Sequence, residues 1–226
     1  MYYIRDYTNL KTYKLIISIA IPMIISNISV PILGIVDTSI IGRISIEQIG
    51  AIAIGSSLLS FVYFCFSFFR MGTTGLIAQS WGINNTYNIR NILKSNFYIA
   101  LICSIICIPI ILIIKDFLLD FYAASSLINY HASLYINIRI FGAPATFINF
   151  IIFGFLLGSK KPWDLLKLVL LINILNIILD IYLGLHLNMY LKGIAYGTLI
   201  SEYSGTILGL YYISKYLPEV EIKKKT

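Results

Sequence analysis

Four ionisable residues fall inside otherwise apolar stretches of this 226-residue chain: Asp37, Arg139, Asp180 and Glu202. A charge at the centre of a bilayer costs at least ~2.5 kcal/mol, so each is a functional candidate from the outset. Two of them carry polar companions at helical spacing. Asn173, Asn176 and Asp180 stand at i, i+3 and i+7 and share one helix face, and Thr198 and Glu202 stand at i and i+4. Carboxylate, amide and hydroxyl oxygens are the ligands that a hard cation such as Na⁺ takes. A carboxylate removed from water also holds a proton more tightly, so one site of this type serves either ion. For Asp180 a coupling-ion or proton role outweighs a structural hydrogen bond. For Asp37 the competing reading is a helix end that faces water. Arg139 and Glu202 read as a buried pair, or Arg139 as a partner of one aspartate, holding a helix bundle in register.

Other chemistry is thinly supplied. His131 and His186 are far apart, and no HExxH or comparable ligand spacing occurs. Cys65, Cys103 and Cys107 lie in apolar runs; Cys103 and Cys107, one helical turn apart, read as small packing residues before they read as a ligand site. There is no phosphate-binding loop of the G-x-x-x-x-G-K-[ST] type, so work done by this chain must draw on a gradient. No catalytic residue and no cofactor is expected.

The elements that position those charges are membrane spans. The chain is 58% hydrophobic and 12% charged with a mean hydropathy of +0.85, a composition that belongs to the bilayer rather than to a soluble domain. Isoleucine makes up roughly a fifth of it, an excess that reads as codon bias rather than as a demand of the lipid. A span needs ~20 apolar residues, and six windows qualify: 15–41, 47–69, 92–114, 132–158, 165–185 and 193–214. Short polar breaks separate them at Gly42–Ser45, Gly82–Arg90, Lys115–Tyr130, Ser159–Asp164 and His186–Lys192. The expected organisation is a polar tail over 1–14, a six-helix all-α lobe over 15–214 and a basic tail over 215–226. The first window lacks a cleavage site and is too long for a signal-peptide core, so it counts as a span.

Basic residues orient the bundle. With the amino terminus in the cytoplasm, Arg5, Lys11, Lys14, Arg70, Arg90, Lys94, Lys160, Lys161, Lys167, Lys215, Lys223, Lys224 and Lys225 fall on the cytoplasmic side, against Arg43, Lys115 and Lys192 opposite. Both ends are therefore expected in the cytoplasm. At 1.5 Å per residue, Asp37 lies ~7 Å, Asp180 ~8 Å, Arg139 ~11 Å and Glu202 ~14 Å below the outer face. Four charges from four helices agree in depth, as scattered structural charges would not. Gly193, Gly197, Ser201, Gly205 and Gly209 place a small residue at every fourth position of the sixth window, and Gly154 and Gly158 form a second pair. Such stripes let helix backbones approach closely in lipid, and packing is the reading preferred for them. Pro22, Pro31, Pro109 and Pro144 mark expected kinks.

The order of these signals resembles a known family. The first window ends Gly34-Ile-Val-Asp37-Thr38 after Pro22 and Pro31. Arg70-Met-Gly72-Thr73-Thr74-Gly75 leads to Gln79 and Gly82. Window four carries Arg139, Gly142, Pro144, Gly154 and Gly158. Asn173-Ile-Leu-Asn176 leads to Asp180, and Gly197-Thr198 leads to Glu202-Tyr203. Together these are similar to the amino-terminal lobe of multidrug and toxic compound extrusion (MATE) transporters, in particular the DinF-like branch, from Lys14 to Tyr212. The resemblance implies a coupling-ion site for H⁺ or Na⁺ at Asp37, Asn176, Asp180 and Thr198, with Asn173, Arg139 and Glu202 as a supporting polar network. It also implies export of small cationic or amphiphilic compounds across a bacterial inner membrane. Arg70 and the Gly72–Gly82 segment would lie at the cytoplasmic mouth, where capping and close turn geometry is the preferred reading.

Family members have twelve helices in two similar lobes, and this sequence ends after six. The leading expectation is therefore a lobe that acts with a second one, either a separate chain or a second copy of itself. A non-transporting truncated remnant is the alternative from another class. A lipid-linked sugar flippase is a third, disfavoured because a single Arg139 is too little cationic charge to hold a pyrophosphate.

Overall fold

Helix caps and left-handed turn residues divide the chain where the polar breaks stand. A computed structural model describes residues 10–42 and 45–223. The basic residues of 1–9, Arg43 and the lysines of 224–226, which carry part of the expected charge bias, lie outside the described residues. The helices are α1 Leu10–Ile41, α2 Ile46–Cys65, α3 Phe68–Gly82, α4 Thr86–Asp120, α5 Ser126–Arg139, α6 Ala143–Gly158, α7 Pro162–Leu179 and α8 Tyr190–Lys223. Ser45, Asn85 and Ser125 cap α2, α4 and α5 by accepting from the backbone N–H three residues on, and Pro162 opens α7. Asn84, Ala123, Lys160 and Asn188 take positive φ in the turns between spans.

Two pairs of these helices are single spans interrupted midway. The second span bends between α2 and α3, and the fourth passes from α5 through a 3₁₀ turn, Ile140–Gly142, into α6. That turn delivers Pro144 into the first turn of α6, where its missing N–H costs nothing. Pro22 and Pro31, expected to kink the first span, lie within one unbroken helix, and Pro109 likewise lies inside α4. The result is an all-α bundle of six long helical passes.

Five stretches among the described residues are long and apolar enough to cross a membrane: Ile16–Ile40, Ile46–Gly82, Thr86–Asp120, Ser126–Gly158 and Pro162–His186. The sixth pass, α8, runs 34 residues, but Thr198, Ser201, Glu202, Ser204 and Thr206 crowd its middle. It packs against α5, α6 and α7 rather than standing in lipid alone. Large apolar side chains such as Ile105, Ile113, Phe117 and Ile174 point outward, as a lipid-facing surface requires.

The passes exceed the windows expected from hydropathy. α1 starts before the first window and α8 runs past the last. The second pass continues to Gly82 and α4 extends to Asp120. The Gly72–Gly82 stretch is consequently a helix, and its glycines serve no turn: an added Cβ at Gly72, Gly75 or Gly82 meets open space. The small residues that do pack are on the facing helix. A Cβ at Gly154 would lie 2.7 Å from the Arg70 carbonyl oxygen, and one at Gly158 would lie 2.8 Å from that of Thr74, so α6 rests directly on the α3 backbone.

Candidate functional site

The seventh helix does not end as a regular α-helix. After Leu179 the chain widens into a π-helical segment, Asp180–His186, and Asp180 is its first residue. A π segment inserts an extra residue into the turn and re-aims the side chains on either side of it. Here it is seated against α8: a Cβ at Gly193 would lie 2.6 Å from the Gly184 backbone nitrogen, and one at Gly197 would collide with Asp180 Oδ1. The glycine stripe of α8 thus packs, as expected, and one of its members also sets the surroundings of a charged residue.

Asp180 is fully buried, Asn176 beneath it is fully buried, and Asp37 arrives from α1 with 9% of its surface exposed. Asp37 therefore does not face water, although it lies close to the end of its helix. The two carboxyl groups face the same interior and are close enough to act on each other electrostatically. Asn176 Nδ2 donates to Thr198 Oγ1 at 3.1 Å, and Thr198 Oγ1 donates to the Ile194 carbonyl at 2.9 Å. That leaves the amide oxygen of Asn176 pointing away from its own donor.

Four oxygens in this cluster are buried without a protein hydrogen-bond donor: Asp37 Oδ1, Asn176 Oδ1, Asp180 Oδ1 and Asp180 Oδ2. A buried acceptor left unmatched costs ~1–3 kcal/mol, more when it is charged. Four at one place, contributed by α1, α7 and the π segment, have the chemistry that suits a hard cation or a shared proton. Thr198 Oγ1, having accepted one bond and donated one, keeps a lone pair for the same ligand. Asn173 stands one turn below and donates to Ser29 Oγ at 2.8 Å, tying α7 to α1.

Arg139 and Glu202 are paired. Arg139 Nη1 and Nη2 donate to Glu202 Oε2 and Oε1 at 3.1 and 3.0 Å, a bidentate geometry that joins the end of α5 to the middle of α8. Thr146 Oγ1 reaches the same carboxylate at 3.2 Å. Below it, Asn149 Nδ2 donates to the Glu202 carbonyl oxygen at 3.1 Å and Thr206 Oγ1 lies 3.0 Å from Asn149 Oδ1. Gly142 makes room for the pair, because a Cβ there would lie 2.6 Å from Glu202 Oε2. The Tyr63 hydroxyl donates to the Arg139 carbonyl at 3.2 Å. Tyr63, Thr146, Asn149 and Thr206 were not singled out from sequence; each is an ordinary residue until α5, α6 and α8 converge.

A cavity of about 200 Å³ opens beside this network, lined by residues that include Asn27, Arg70, Asn149, Phe150, Phe153, Asn173, Thr198 and Glu202. It touches both clusters, through Thr198 on one side and Glu202 on the other. The cysteines take no part in either: Cys65, Cys103 and Cys107 line a shallow apolar groove between α2 and α4, and all three are free thiols. Among the described residues no group of three or more His, Cys, Asp or Glu side chains converges.

Comparison with known proteins places this arrangement. Residues 22–182 match the family model described as MatE. Over 204 residues the chain is 36% identical to DNA damage-inducible protein F of Escherichia coli, covering 88% of this chain and 44% of that protein. It is 27% identical over 172 residues to a probable multidrug resistance protein NorM of Listeria innocua, covering 76% of this chain and 37% of the relative. The fold is similar to that of a MOP superfamily transporter from Pyrococcus furiosus, with a TM-score of 0.82 at 22% identity over 88% of this chain and 44% of that one. The chain thus spans less than half the length of these proteins.

Proposed function

The chain belongs to the MatE family of secondary transporters, and we propose that it is the ion-coupling lobe of an antiporter that exports amphiphilic compounds in exchange for H⁺ or Na⁺. The observation that carries this reading is the set of four unmatched buried oxygens on Asp37, Asn176 and Asp180. Two carboxylates held together in a low-dielectric interior repel each other strongly. A proton or one Na⁺ bound between them relieves that repulsion and draws α1 toward α7; its release loosens the same contact. α1 is well placed to respond, since its large apolar side chains are mostly exposed and it packs chiefly on α7. Occupancy of the site is thereby converted into a position of α1 beside the cavity.

Export by alternating access needs a second wall opposite that cavity. A second lobe supplies it; the partial coverage of the relatives supports this arrangement. In the same reading the lobe sits in a bacterial inner membrane with both ends cytoplasmic, because, with Arg70 and Arg139 inside passes, twelve of the other fifteen basic residues fall on that side.

The test joins two readouts. Cells lacking their own drug exporters receive wild type, Asp37→Asn or Asp180→Asn, together with the partner lobe where one is encoded, and membrane insertion is checked by immunoblot. Binding of radioactive Na⁺ and proton release are measured on the purified chain. Both variants insert normally and lose ion binding and resistance. Equal resistance and equal ion binding in variant and wild type would sink the reading.

A further inference from the structure

Among the described residues, the one cation that lines the cavity beside the polar network has no counter-charge. Arg139 is held by Glu202, and Lys115, whose side chain is 11% exposed, is held by Asp116 at 2.9 Å. Arg70, half-buried in the first turn of α3, forms no ion pair among the described residues; its guanidinium rests over the Phe153 ring at 5.9 Å. It also lines the cavity of about 200 Å³. The one carboxylate lining that cavity is Glu202, and both of its oxygens are engaged by Arg139. The free charge facing the cavity is therefore positive. Around it stand two phenylalanines, Phe150 and Phe153, and the amides of Asn149 and Asn173. An amide can meet an ester, alcohol or acid; it does not neutralise an ammonium.

We propose that this cavity binds amphiphiles by an anionic head, a carboxylate or a phosphate ester held by Arg70, with the apolar body laid along Phe150 and Phe153. This rests on reading the cavity as the transporter's substrate chamber, and it replaces the cationic substrates implied by family resemblance with compounds of opposite sign. A guanidinium presents paired donors to a carboxylate or phosphate, and its attraction is strengthened where water is sparse. The ring of Phe153 lies within cation–π range of the guanidinium and leaves its charge uncompensated. Arg70 is also anchored from behind. Its carbonyl oxygen accepts from Thr74 Oγ1 at 2.8 Å and lies close against Gly154, so the side chain extends from a backbone packed on the facing helix.

The test uses a matched pair of probes, 1-naphthylacetate and 2-(1-naphthyl)ethylammonium, which share an aromatic body and differ in the charge of the head. Binding is measured on the full chain in nanodiscs of phosphatidylcholine. The acid is expected to bind at least about tenfold more tightly than the amine, the worth of one charge-assisted pair. Arg70→Gln abolishes that preference and Arg70→Lys keeps part of it, while the response of both variants to Na⁺ stays as in wild type and certifies their fold. Equal binding of the two probes, tighter binding of the amine, or an acid affinity unchanged in Arg70→Gln overturns the proposal. Repeating the measurement with phosphatidylglycerol in the disc separates two sources of the anion. Arg70-dependent displacement of the acid makes a bilayer lipid the occupant; no displacement makes it a soluble amphiphile. Arg70-dependent acid binding without ion-coupled transport would retain this site and remove the antiporter reading. Asp180-dependent transport of the amine alone would do the reverse.

Discussion

Two polar clusters lie side by side in this bundle, and they are finished to different degrees. In the Arg139–Glu202 cluster, both carboxylate oxygens, two guanidinium nitrogens, the Glu202 carbonyl and the Asn149 amide find partners, and one buried atom, Arg139 Nε, does not. In the Asp37–Asp180 cluster, four oxygens find no donor. Both clusters are buried by neighbours from three or more helices, so depth does not separate them. What separates them is satisfaction. A network whose charges are matched fixes helices relative to one another, whereas one with several charged acceptors unmatched is stable only when something else enters. The contrast supports the proposal that the first cluster sets register and the second carries ions, with α8 carrying a member of each four residues apart at Thr198 and Glu202.

The sharpest break in that contrast is to remove the demand for a ligand. Asp180→Asn supplies an N–H where an oxygen stood and takes away one charge. It is expected to abolish Na⁺- or H⁺-dependent changes in the melting temperature of the purified chain, a shift that grows with ligand concentration in wild type. Its melting temperature without added ion should equal or exceed that of wild type, because one unmatched acceptor and one buried charge disappear and the new N–H is offered to a neighbouring acceptor. A melting temperature lowered by the substitution would mean that Asp180 is structural, and the two clusters would no longer differ in kind.

The paired cluster should answer in the opposite way. Arg139→Met strands the Glu202 carboxylate in the bundle, and breaking one partner of a buried pair costs about 3–5 kcal/mol. Adding Glu202→Leu removes the stranded charge and should recover most of that loss. Denaturant or thermal unfolding in detergent measures both steps, and ion response is the control: it persists in the double variant. Failure of the second substitution to rescue the first would show that Arg139 serves the aspartates rather than Glu202.

Gly197 lies at the seam between the two. A Cβ there collides with Asp180 Oδ1, so Gly197→Ala must push α8 away from the π segment or turn the carboxylate aside. Overpacking of this kind costs about 1–3 kcal/mol, and the displaced oxygen lowers ion affinity by about tenfold if the whole of a 1.4 kcal/mol penalty falls on the bound state. Gly75→Ala, which meets nothing within 4 Å, is the matched control and leaves both properties unchanged. Equal behaviour of the two variants would detach the glycine stripe from the site.

Much of this was legible in the sequence, and the gaps have physical causes. Charged residues within apolar stretches announce themselves because lipid excludes them, so Asp37, Arg139, Asp180 and Glu202 needed only counting to be found. The pairing of Arg139 with Glu202 was one of two readings until geometry chose it. Helix length was underread at α3 and α4 because hydropathy marks the part of a helix that touches hydrocarbon, whereas hydrogen bonding continues past it into polar turns. Gly72, Gly75 and Gly82 suggested a turn by composition, yet helices in lipid tolerate glycine when the surrounding backbone bonds hold. The π segment at Asp180 left no trace, since one extra residue in a turn changes neither hydropathy nor composition. Arg70 was counted toward orientation and then set aside; its lack of a partner is a property of three dimensions.

The smallest effect tests the comparison from within the finished cluster. Thr206 Oγ1 sits between Asn149 Oδ1 and the Glu202 carbonyl oxygen, 3.0 Å from each. Thr206→Val keeps the shape and β-branching but removes the hydroxyl, so the Asn149 oxygen loses a donor in a site that is 7% exposed at this residue. A net hydrogen bond is worth about 1 kcal/mol, and the stranded acceptor adds a similar amount. The expected result is a loss of about 1–2 kcal/mol in unfolding free energy with ion response intact. Thr198→Val is the same chemical change one turn before Glu202 on the same helix; it strands the buried Asn176 amide for a comparable loss of stability and, unlike Thr206→Val, should weaken ion binding. One substitution applied twice on one helix, eight residues apart, then reads out which cluster is scaffold and which is site.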